Sequence, residues 1–280
     1  MLTKKALNIN IFLLNLEKLN LYSGKSGFIS KVYYQDEIDS TNAYAKSLEN
    51  ETDMLVISDF QTRGLGRMGK KWESEIGKNL TFTIKKHFSI EPENIQAVNF
   101  YFSYFLLAYV KDFILKNKKA DIPYPEISIK WPNDILFNSK KISGLLIENN
   151  INNGEFCIGI GINLNQDTFL EELNAYSLKE FLKTEIDITD FLIGLISVYE
   201  KNFSLLMNRK YDLIYKLWKN SNNLIGKEVF FISNEHDLNK GKIIDLLKDG
   251  GIKIEQNSQN STFYSGEIKL QLEKSDGLHE

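Results

Sequence analysis

Apolar residues recur along the chain at two different spacings, which together predict a fold that mixes strands and helices. Short apolar or alternating runs predict strands at residues 31–34, 54–58, 80–84, 127–130, 135–137, 141–148 and 156–163. Apolar positions at helical spacing predict helices at residues 42–48, 92–118, 190–207 and 211–218. The longest of these helices carries aromatic residues on its apolar positions, and we interpret them as core packing rather than as a cofactor site.

The pattern changes near residue 224, where helical spacing gives way to short apolar runs. These runs lie at residues 228–232, 242–246, 252–255 and 267–270, with turn signals such as Asp249-Gly250-Gly251 between them. They predict a small β barrel at residues 225–280, which follows a larger domain at residues 31–224.

Residues 1–30 form a lead-in that predicts little. The apolar run at residues 9–16 is broken by two asparagines and lacks a cleavage pattern, so it predicts a local helix or an irregular segment rather than a signal peptide. The GKS at residues 24–26 lacks the upstream glycine of a phosphate-binding loop, and we predict a plain flexible loop there.

Composition narrows the class of protein. Hydrophobic residues make up 42% and charged residues 25% of the 280 residues, which is typical of a soluble globular protein. The net charge of −3 gives no reason to expect general nucleic-acid binding. The single cysteine, Cys157, excludes an intramolecular disulfide and favours a reducing compartment, so we expect a cytoplasmic protein. No apolar run reaches the length of a membrane span, so no membrane partner is expected, and the three histidines lack metal-ligand spacing.

A glycine-rich, basic segment at residues 61–72, QTRGLGRMGKKW, is the first candidate site. Its three glycines let backbone N–H groups approach an anion, and its four cations can bond a carboxylate or a phosphate. Trp72 could stack on a flat ring. The segment predicts a loop that wraps an anionic ligand, although an ordinary solvated basic loop would have the same composition, and it matches neither a P-loop nor a dinucleotide fingerprint.

Further polar residues lie where strands are predicted. Lys130, Asn133, Asp134 and Lys141 occupy a predicted hairpin, where burial is unfavourable unless these groups are paired. They indicate either a charged-ligand site or a network that satisfies itself. Ser40 or Thr41 can cap the helix that follows, and the same hydroxyls and the Asn42 amide could instead face a ligand. The alternating glycines in FCIGIGIN, residues 156–163, mark close backbone or ligand approach more readily than a dinucleotide loop.

Taken together, these segments resemble the biotin–protein ligase family. The motifs that carry the resemblance are STN at Ser40–Asn42, the glycine-rich segment at Gln61–Trp72, KWPND at Lys130–Asp134, KISG at Lys141–Gly144 and GIGIN at Gly159–Asn163. The resemblance implies an α+β fold with a mixed, largely antiparallel sheet, like that of class II aminoacyl-tRNA synthetases, plus a C-terminal SH3-like barrel. It also implies a ligase that uses ATP and Mg²⁺ to make biotinyl-5′-AMP and transfers biotin to a lysine of a biotin carboxyl carrier protein domain.

The resemblance also implies roles for individual residues. Lys141, Arg67 and Lys130 would be catalytic, with Lys141 bridging the biotin carboxylate and the α-phosphate. Biotin would contact Ser40, Thr41, Asn42, Gln61, Gly64, Leu65, Gly66, Arg67, Lys141 and Gly144. ATP would contact Arg67, Trp72, Lys130, Asn133, Asp134, Lys141 and Asn163, and Asp134 is the candidate magnesium ligand.

The chain departs from the family pattern in two places. The family loop reads GRGRxGR, whereas this chain has Leu65 at the first arginine and Arg63 where a small residue is usual. About thirty residues precede the resemblance, too few for a winged helix-turn-helix, so we expect no specific DNA binding. A lipoate or octanoate ligase and a degenerate, non-enzymatic binder remain as alternatives.

Overall fold

The computed structural model describes residues 14–232, 238–264 and 267–270. Its strands are β1 Lys31–Ile38, β2 Met54–Gln61, β3 Leu80–His87, β4 Ile127–Lys130, β5 Asp134–Phe137, β6 Lys140–Asn150, β7 Glu155–Ile162, β8 Glu228–Ile232, β9 Leu238–Leu246, β10 Ile252–Gln256, β11 Gln259–Phe263 and β12 Glu267–Leu270. Its helices are α1 Leu16–Ser23, α2 Thr41–Ser47, α3 Gln96–Asn117, α4 Leu178–Leu182, α5 Ile188–Asn202, α6 Ser204–Met207 and α7 Tyr211–Asn220.

The first seven strands form one mixed sheet in the order β1-β2-β3-β7-β6-β5-β4. β1 pairs with β2 in parallel, and the other neighbouring pairs are antiparallel. β2 is apolar on both faces because both faces are covered, and its alternate residues belong to two different apolar clusters. β3 instead alternates buried apolar residues such as Phe82 with buried polar ones such as Thr83. The predicted α+β class with a largely antiparallel sheet is confirmed.

The helix α3 is apolar on most of its surface because it packs on several neighbours at once. It contacts β4, β5 and β6 of the sheet as well as α5 and α7. Phe100 stacks on Trp218 with ring centroids 4.2 Å apart, and Tyr101 donates a hydrogen bond to the Tyr199 carbonyl. By length and composition this helix, with the turn before it, could cross a membrane, which corrects the prediction that no run is long enough. Its aromatic residues pack in the core as predicted, and 56% of the most apolar stretch of the helix is buried.

A second sheet has the order β11-β10-β9-β8-β12, and its pairs are antiparallel. It confirms the predicted C-terminal β module. The prediction missed β11, which reads QNSTF and has no apolar alternation. Buried residues of this sheet, among them Val229 and Ile243, belong to the same apolar cluster as the core of the first sheet. The boundary near residue 224 therefore stays a prediction.

The segment before β1 is more ordered than predicted. The helix α1 begins after Asn15, whose side chain accepts a hydrogen bond from the Lys18 N–H, and ends at Ser23, immediately before the predicted loop. Leu19, Phe28 and Ile29 are buried against the core. Most of the apolar run at residues 9–16 lies outside the described residues.

Candidate active site

A groove of about 530 Å³ runs across the middle strands of the seven-stranded sheet. Its walls come from the start of α2, the glycine-rich loop, the β4–β6 hairpins, β7 and the segment after β7. The groove collects the predicted residues Ser40, Thr41, Asn42, Gln61, Leu65, Gly66, Arg67, Trp72, Lys130, Asn133, Asp134, Lys141, Gly144 and Asn163. Gly64 is buried next to Gln61, which lines the groove. A Cβ atom at Gly64 would lie 3.1 Å from the side-chain amide nitrogen of Gln61.

Glycines on β6 and β7 leave room for the side chains that form the groove. Gly144 and Gly161 are paired across the two strands. A Cβ atom at Gly161 would lie 2.4 Å from the Trp72 ring, and one at Gly144 would lie 3.0 Å from both the Asp134 carboxylate and the Lys141 ammonium. A Cβ at Gly159 would lie 2.4 Å from the Asn42 amide oxygen. The close approach predicted for the alternating glycines is confirmed.

Positive charge gathers at one part of the groove. The Lys141 ammonium lies 2.8 Å from an Asp134 carboxylate oxygen and 5.6 Å from the centre of a Trp72 ring. Arg67 lines the same space, where burial lowers the pKa of its guanidinium and the charge of Asp134 acts in the opposite sense. Arginine still keeps its charge at neutral pH because its ordinary pKa is so high. This part of the groove suits an anion.

A network of hydroxyl and amide groups lies at another wall. Gln61 accepts hydrogen bonds from the Thr41 N–H at 2.7 Å and from the Thr41 hydroxyl at 3.1 Å. The Thr83 and Thr41 hydroxyl oxygens lie 2.9 Å apart. The Ser40 side chain accepts from the Ala43 N–H, so Ser40 is the helix cap that the sequence predicted. Because these polar groups are buried and held in place, this wall suits a ligand with several fixed hydrogen-bonding atoms.

Two predicted ligand-binding amides also bind the protein itself. The Asn42 amide nitrogen donates to the Leu146 carbonyl at 3.1 Å and to Glu148 at 2.8 Å, and its oxygen accepts from Thr83. The Asn133 amide donates to the Leu145 carbonyl. Both side chains therefore tie neighbouring elements to β6, and their contact with a ligand stays a prediction.

The glycine-rich loop folds back on itself over the groove. Leu65 pairs with Lys71, and this small hairpin is closed by bonds from the Gly66 N–H to the Lys70 carbonyl and from the Trp72 N–H to the Gly64 carbonyl. In such a pairing the N–H and C=O of Leu65 point away from the opposite strand. Arg63 is exposed and lies 3.7 Å from Asp39, away from the groove lining.

The groove also contains residues that no sequence motif marked. The segment after β7 contributes Phe169 and Leu173, and β6 contributes Leu145 and Leu146. Trp131, which belongs to the KWPND motif, also lines the groove, and its indole N–H donates to the Gly250 carbonyl of the C-terminal sheet at 2.9 Å. Tertiary contact alone brings the four residues outside the motifs to the site. Within the described ranges, no three His, Cys, Asp or Glu residues come together as a metal-binding group.

Comparisons with known proteins give a matching family and relatives of similar sequence. The model of the biotin/lipoate A/B protein ligase family matches residues 34–165. The bifunctional ligase/repressor BirA of Bacillus spizizenii is 31% identical over 250 residues, which cover 85% of this chain and 73% of that protein. The biotin–[acetyl-CoA-carboxylase] ligase of Paracoccus denitrificans is 30% identical over 131 residues, which cover 45% of this chain and 51% of that protein.

A solved structure has the same fold. The biotin protein ligase of Aquifex aeolicus in complex with biotin and ATP superposes with a TM-score of 0.70 at 25% identity, covering 87% of this chain and 99% of that chain.

Proposed function

The chain belongs to the biotin protein ligase family, and on that premise we propose how its groove carries out the two steps of biotin attachment. The protein is an ATP-dependent ligase that activates biotin as biotinyl-5′-AMP and transfers the biotinyl group to a protein. One observation carries the proposal for the site: Lys141 and Arg67 lie in the same groove as the buried polar wall of Thr41 and Gln61. The two cations can therefore bind an anionic reacting centre, and the polar wall can bind a ring that carries hydrogen-bonding groups.

In the first step a biotin carboxylate oxygen attacks the α-phosphorus of ATP, and pyrophosphate leaves. We propose that Thr41 and Gln61 hold the ureido ring, because hydrogen-bonded buried groups discriminate strongly against ligands that leave them unpaired. Lys141 then lies between two anions that would otherwise repel each other, and a compact ammonium suits this position. Arg67 and Lys130 add positive charge around the phosphates, and Trp72 offers a flat face to the adenine.

Magnesium belongs to the same proposal. Asp134 and Glu73 contribute carboxylates to the groove, and magnesium in nucleotide sites is held by one or two carboxylates together with substrate phosphates. When bound, magnesium neutralises charge on those phosphates.

In the second step the amine of an acceptor lysine attacks the acyl carbon of biotinyl-5′-AMP. The carbon–nitrogen bond forms, the bond from carbon to the phosphate oxygen breaks, AMP leaves with the electron pair, and the amine releases a proton. We propose that a biotin carboxyl carrier protein domain supplies this lysine, a proposal supported by similarity to the Paracoccus denitrificans ligase, which acts on acetyl-CoA carboxylase. A cytoplasmic location is also proposed, supported by the buried, unpaired Cys157.

Mass spectrometry of an acceptor protein tests this function. The pure protein is incubated with ATP, magnesium, a carrier domain and either biotin or lipoate. We expect the carrier to gain the mass of one biotinyl group on one lysine, and we expect no gain when the carrier lysine is replaced by arginine. Gain of a lipoyl group in preference to biotin would identify the other branch of the family, and no gain with either acid would indicate a binder without ligase activity.

A further inference from the structure

On one side β6 pairs with β7, and the backbone of Lys141 lies beyond the end of that pairing. β7 ends at Ile162, which pairs with Ser143, so β7 does not reach Lys141. The segment Asn174–Tyr176 takes its place. The Lys141 N–H donates to the Asn174 carbonyl at 2.9 Å, and the Lys141 carbonyl accepts from the Tyr176 N–H at 2.9 Å. These bonds make a short parallel bridge that completes the sheet at Lys141.

Lys141 also lies at an irregular point of its own hairpin. Ile135 pairs with Ser143, whereas the next residue, Leu136, pairs with Lys141, so β6 carries one extra residue there. A bulge of this kind bends the strand and redirects the side chains beside it. The direction of the Lys141 side chain therefore depends on local backbone contacts more than it would in a regular ladder.

The segment is itself held by an unusual backbone conformation and by packing. Asn174 has a φ of 43° and a ψ of 50°, the left-handed region, and its side-chain amide donates to the Ser139 carbonyl at 3.2 Å. Two residues later, the Tyr176 ring stacks on Phe137 with centroids 5.3 Å apart. Asn174 turns the chain immediately before the bridge. Its backbone conformation therefore determines the direction of its own carbonyl, which accepts the hydrogen bond from the Lys141 N–H.

We propose that Asn174 is a positioning residue for Lys141: its left-handed backbone holds the segment whose hydrogen bonds fix the bulged backbone of the lysine. The inference rests on the role proposed for Lys141. Asparagine tolerates this conformation far better than a β-branched residue, and glycine adopts it freely. If this segment moves, the Lys141 ammonium loses its place between the carboxylate and the α-phosphate, and a displacement of about 1 Å can lower a rate about 100-fold.

The test is a graded series at position 174. Asn174→Gly keeps the backbone conformation, Asn174→Ala strains it, and Asn174→Val disfavours it strongly. Biotin-dependent exchange of labelled pyrophosphate into ATP reports adenylate formation alone, and kcat and the KM for biotin are measured for each variant. We expect Asn174→Val to lower kcat by about 10- to 100-fold with a KM within about threefold of the original, Asn174→Ala to be intermediate, and Asn174→Gly to retain kcat within about threefold.

Lys183→Val is the matched control. Lys183 is an exposed residue with a φ of 57° that ends α4, so valine strains it in the same way at a position away from Lys141. We expect this variant to lower Tm and to leave kcat unchanged. If the valine variant folds poorly, the kcat values of the glycine and alanine variants still test the inference.

Three outcomes would overturn the inference. One is an unchanged kcat in Asn174→Val and Asn174→Ala. Another is an equal loss in Asn174→Gly, which would place the effect in the side-chain amide. The third is an equal loss of kcat in Lys183→Val, which would show a general effect of lost stability. Failure of the proposed function is a separate result, because the original protein would then show no biotin-dependent pyrophosphate exchange. Failure of the role of Lys141 is also separate, because Lys141→Ala would then exchange at the original rate.

Discussion

Replacing Lys141 by alanine is expected to slow formation of biotinyl-5′-AMP by about 100- to 1,000-fold while the protein stays folded. The reaction brings a carboxylate and a phosphate into contact, and Lys141 supplies the cation that reduces their repulsion. A preorganised charge in a partly dry groove has a much larger effect than one in water. The fold should survive because 34% of the Lys141 side chain and 24% of the Asp134 side chain are exposed, so water can solvate the carboxylate left behind.

The rate of biotin-dependent pyrophosphate exchange measures this effect, and circular dichroism with thermal unfolding checks the fold. Lys116→Ala is a suitable control, because it also removes a lysine from an ion pair, with Asp112 at 2.6 Å, on the exposed face of α3. The control should exchange pyrophosphate at the original rate. Exchange by Lys141→Ala within about threefold of the original rate would remove Lys141 from the proposed mechanism.

Replacing Leu65 by proline is expected to weaken biotin binding by about 100-fold. The family loop has arginine at this position, so either the side chain or the backbone could carry its role. The structure favours the backbone, because the Leu65 N–H points away from the hairpin that it forms with Lys71. Proline removes this N–H. A hydrogen bond to a charged group contributes about 1.5–3 kcal/mol, which corresponds to about 10- to 150-fold in Kd.

Matched variants separate the backbone effect from lost charge. Leu65→Ala keeps the N–H and should bind biotin within about tenfold of the original Kd, as should Arg63→Ala, since Arg63 lies outside the groove lining. Arg67→Ala should weaken adenylate retention far more. Isothermal titration calorimetry with biotin, alone and with ATP, gives these values. If Arg63→Ala proves as damaging as Arg67→Ala, the charge of the missing arginine has moved to Arg63 and the backbone assignment is wrong.

Much of the fold follows from local patterns in the sequence. The alternation at Ile127–Lys130 and the turn at Asn138 and Ser139 predict the hairpins of β4, β5 and β6 at one edge of the sheet, and both turn residues have positive φ values, 45° and 66°. The helix α1 was missed because it is only eight residues long, which is too short for a helical spacing of apolar residues to be recognised. β11 was missed because its side chains are polar, so only its pairing with β10 identifies it as a strand.

The residues of the site likewise fall into those that a local sequence pattern predicts and those that it does not. The glycines of β6 and β7 could be recognised because a strand position without a side chain implies a close neighbour, which here is Trp72 or the pair Lys141–Asp134. The apolar lining from Phe169 and Leu173 could not be predicted, since these residues lie in a segment whose regular structure is a three-residue 3-10 helix, too short to show periodicity. Buried Lys85 was unexpected for a similar reason: its ammonium is satisfied by the Leu48 carbonyl and by Glu155, which are distant in sequence.

A crystal structure of the protein with a non-hydrolysable analogue of biotinyl-5′-AMP would show directly whether the groove binds the reaction intermediate as proposed. We expect the ureido ring to lie against Thr41 and Gln61, and the Lys141 ammonium to lie within about 3 Å of the group that replaces the acyl phosphate. The Leu65 N–H should point at the ligand. An analogue bound with its phosphate-like group away from both Lys141 and Arg67, or with its ureido ring outside the Thr41–Gln61 wall, would show that the proposed binding mode is wrong.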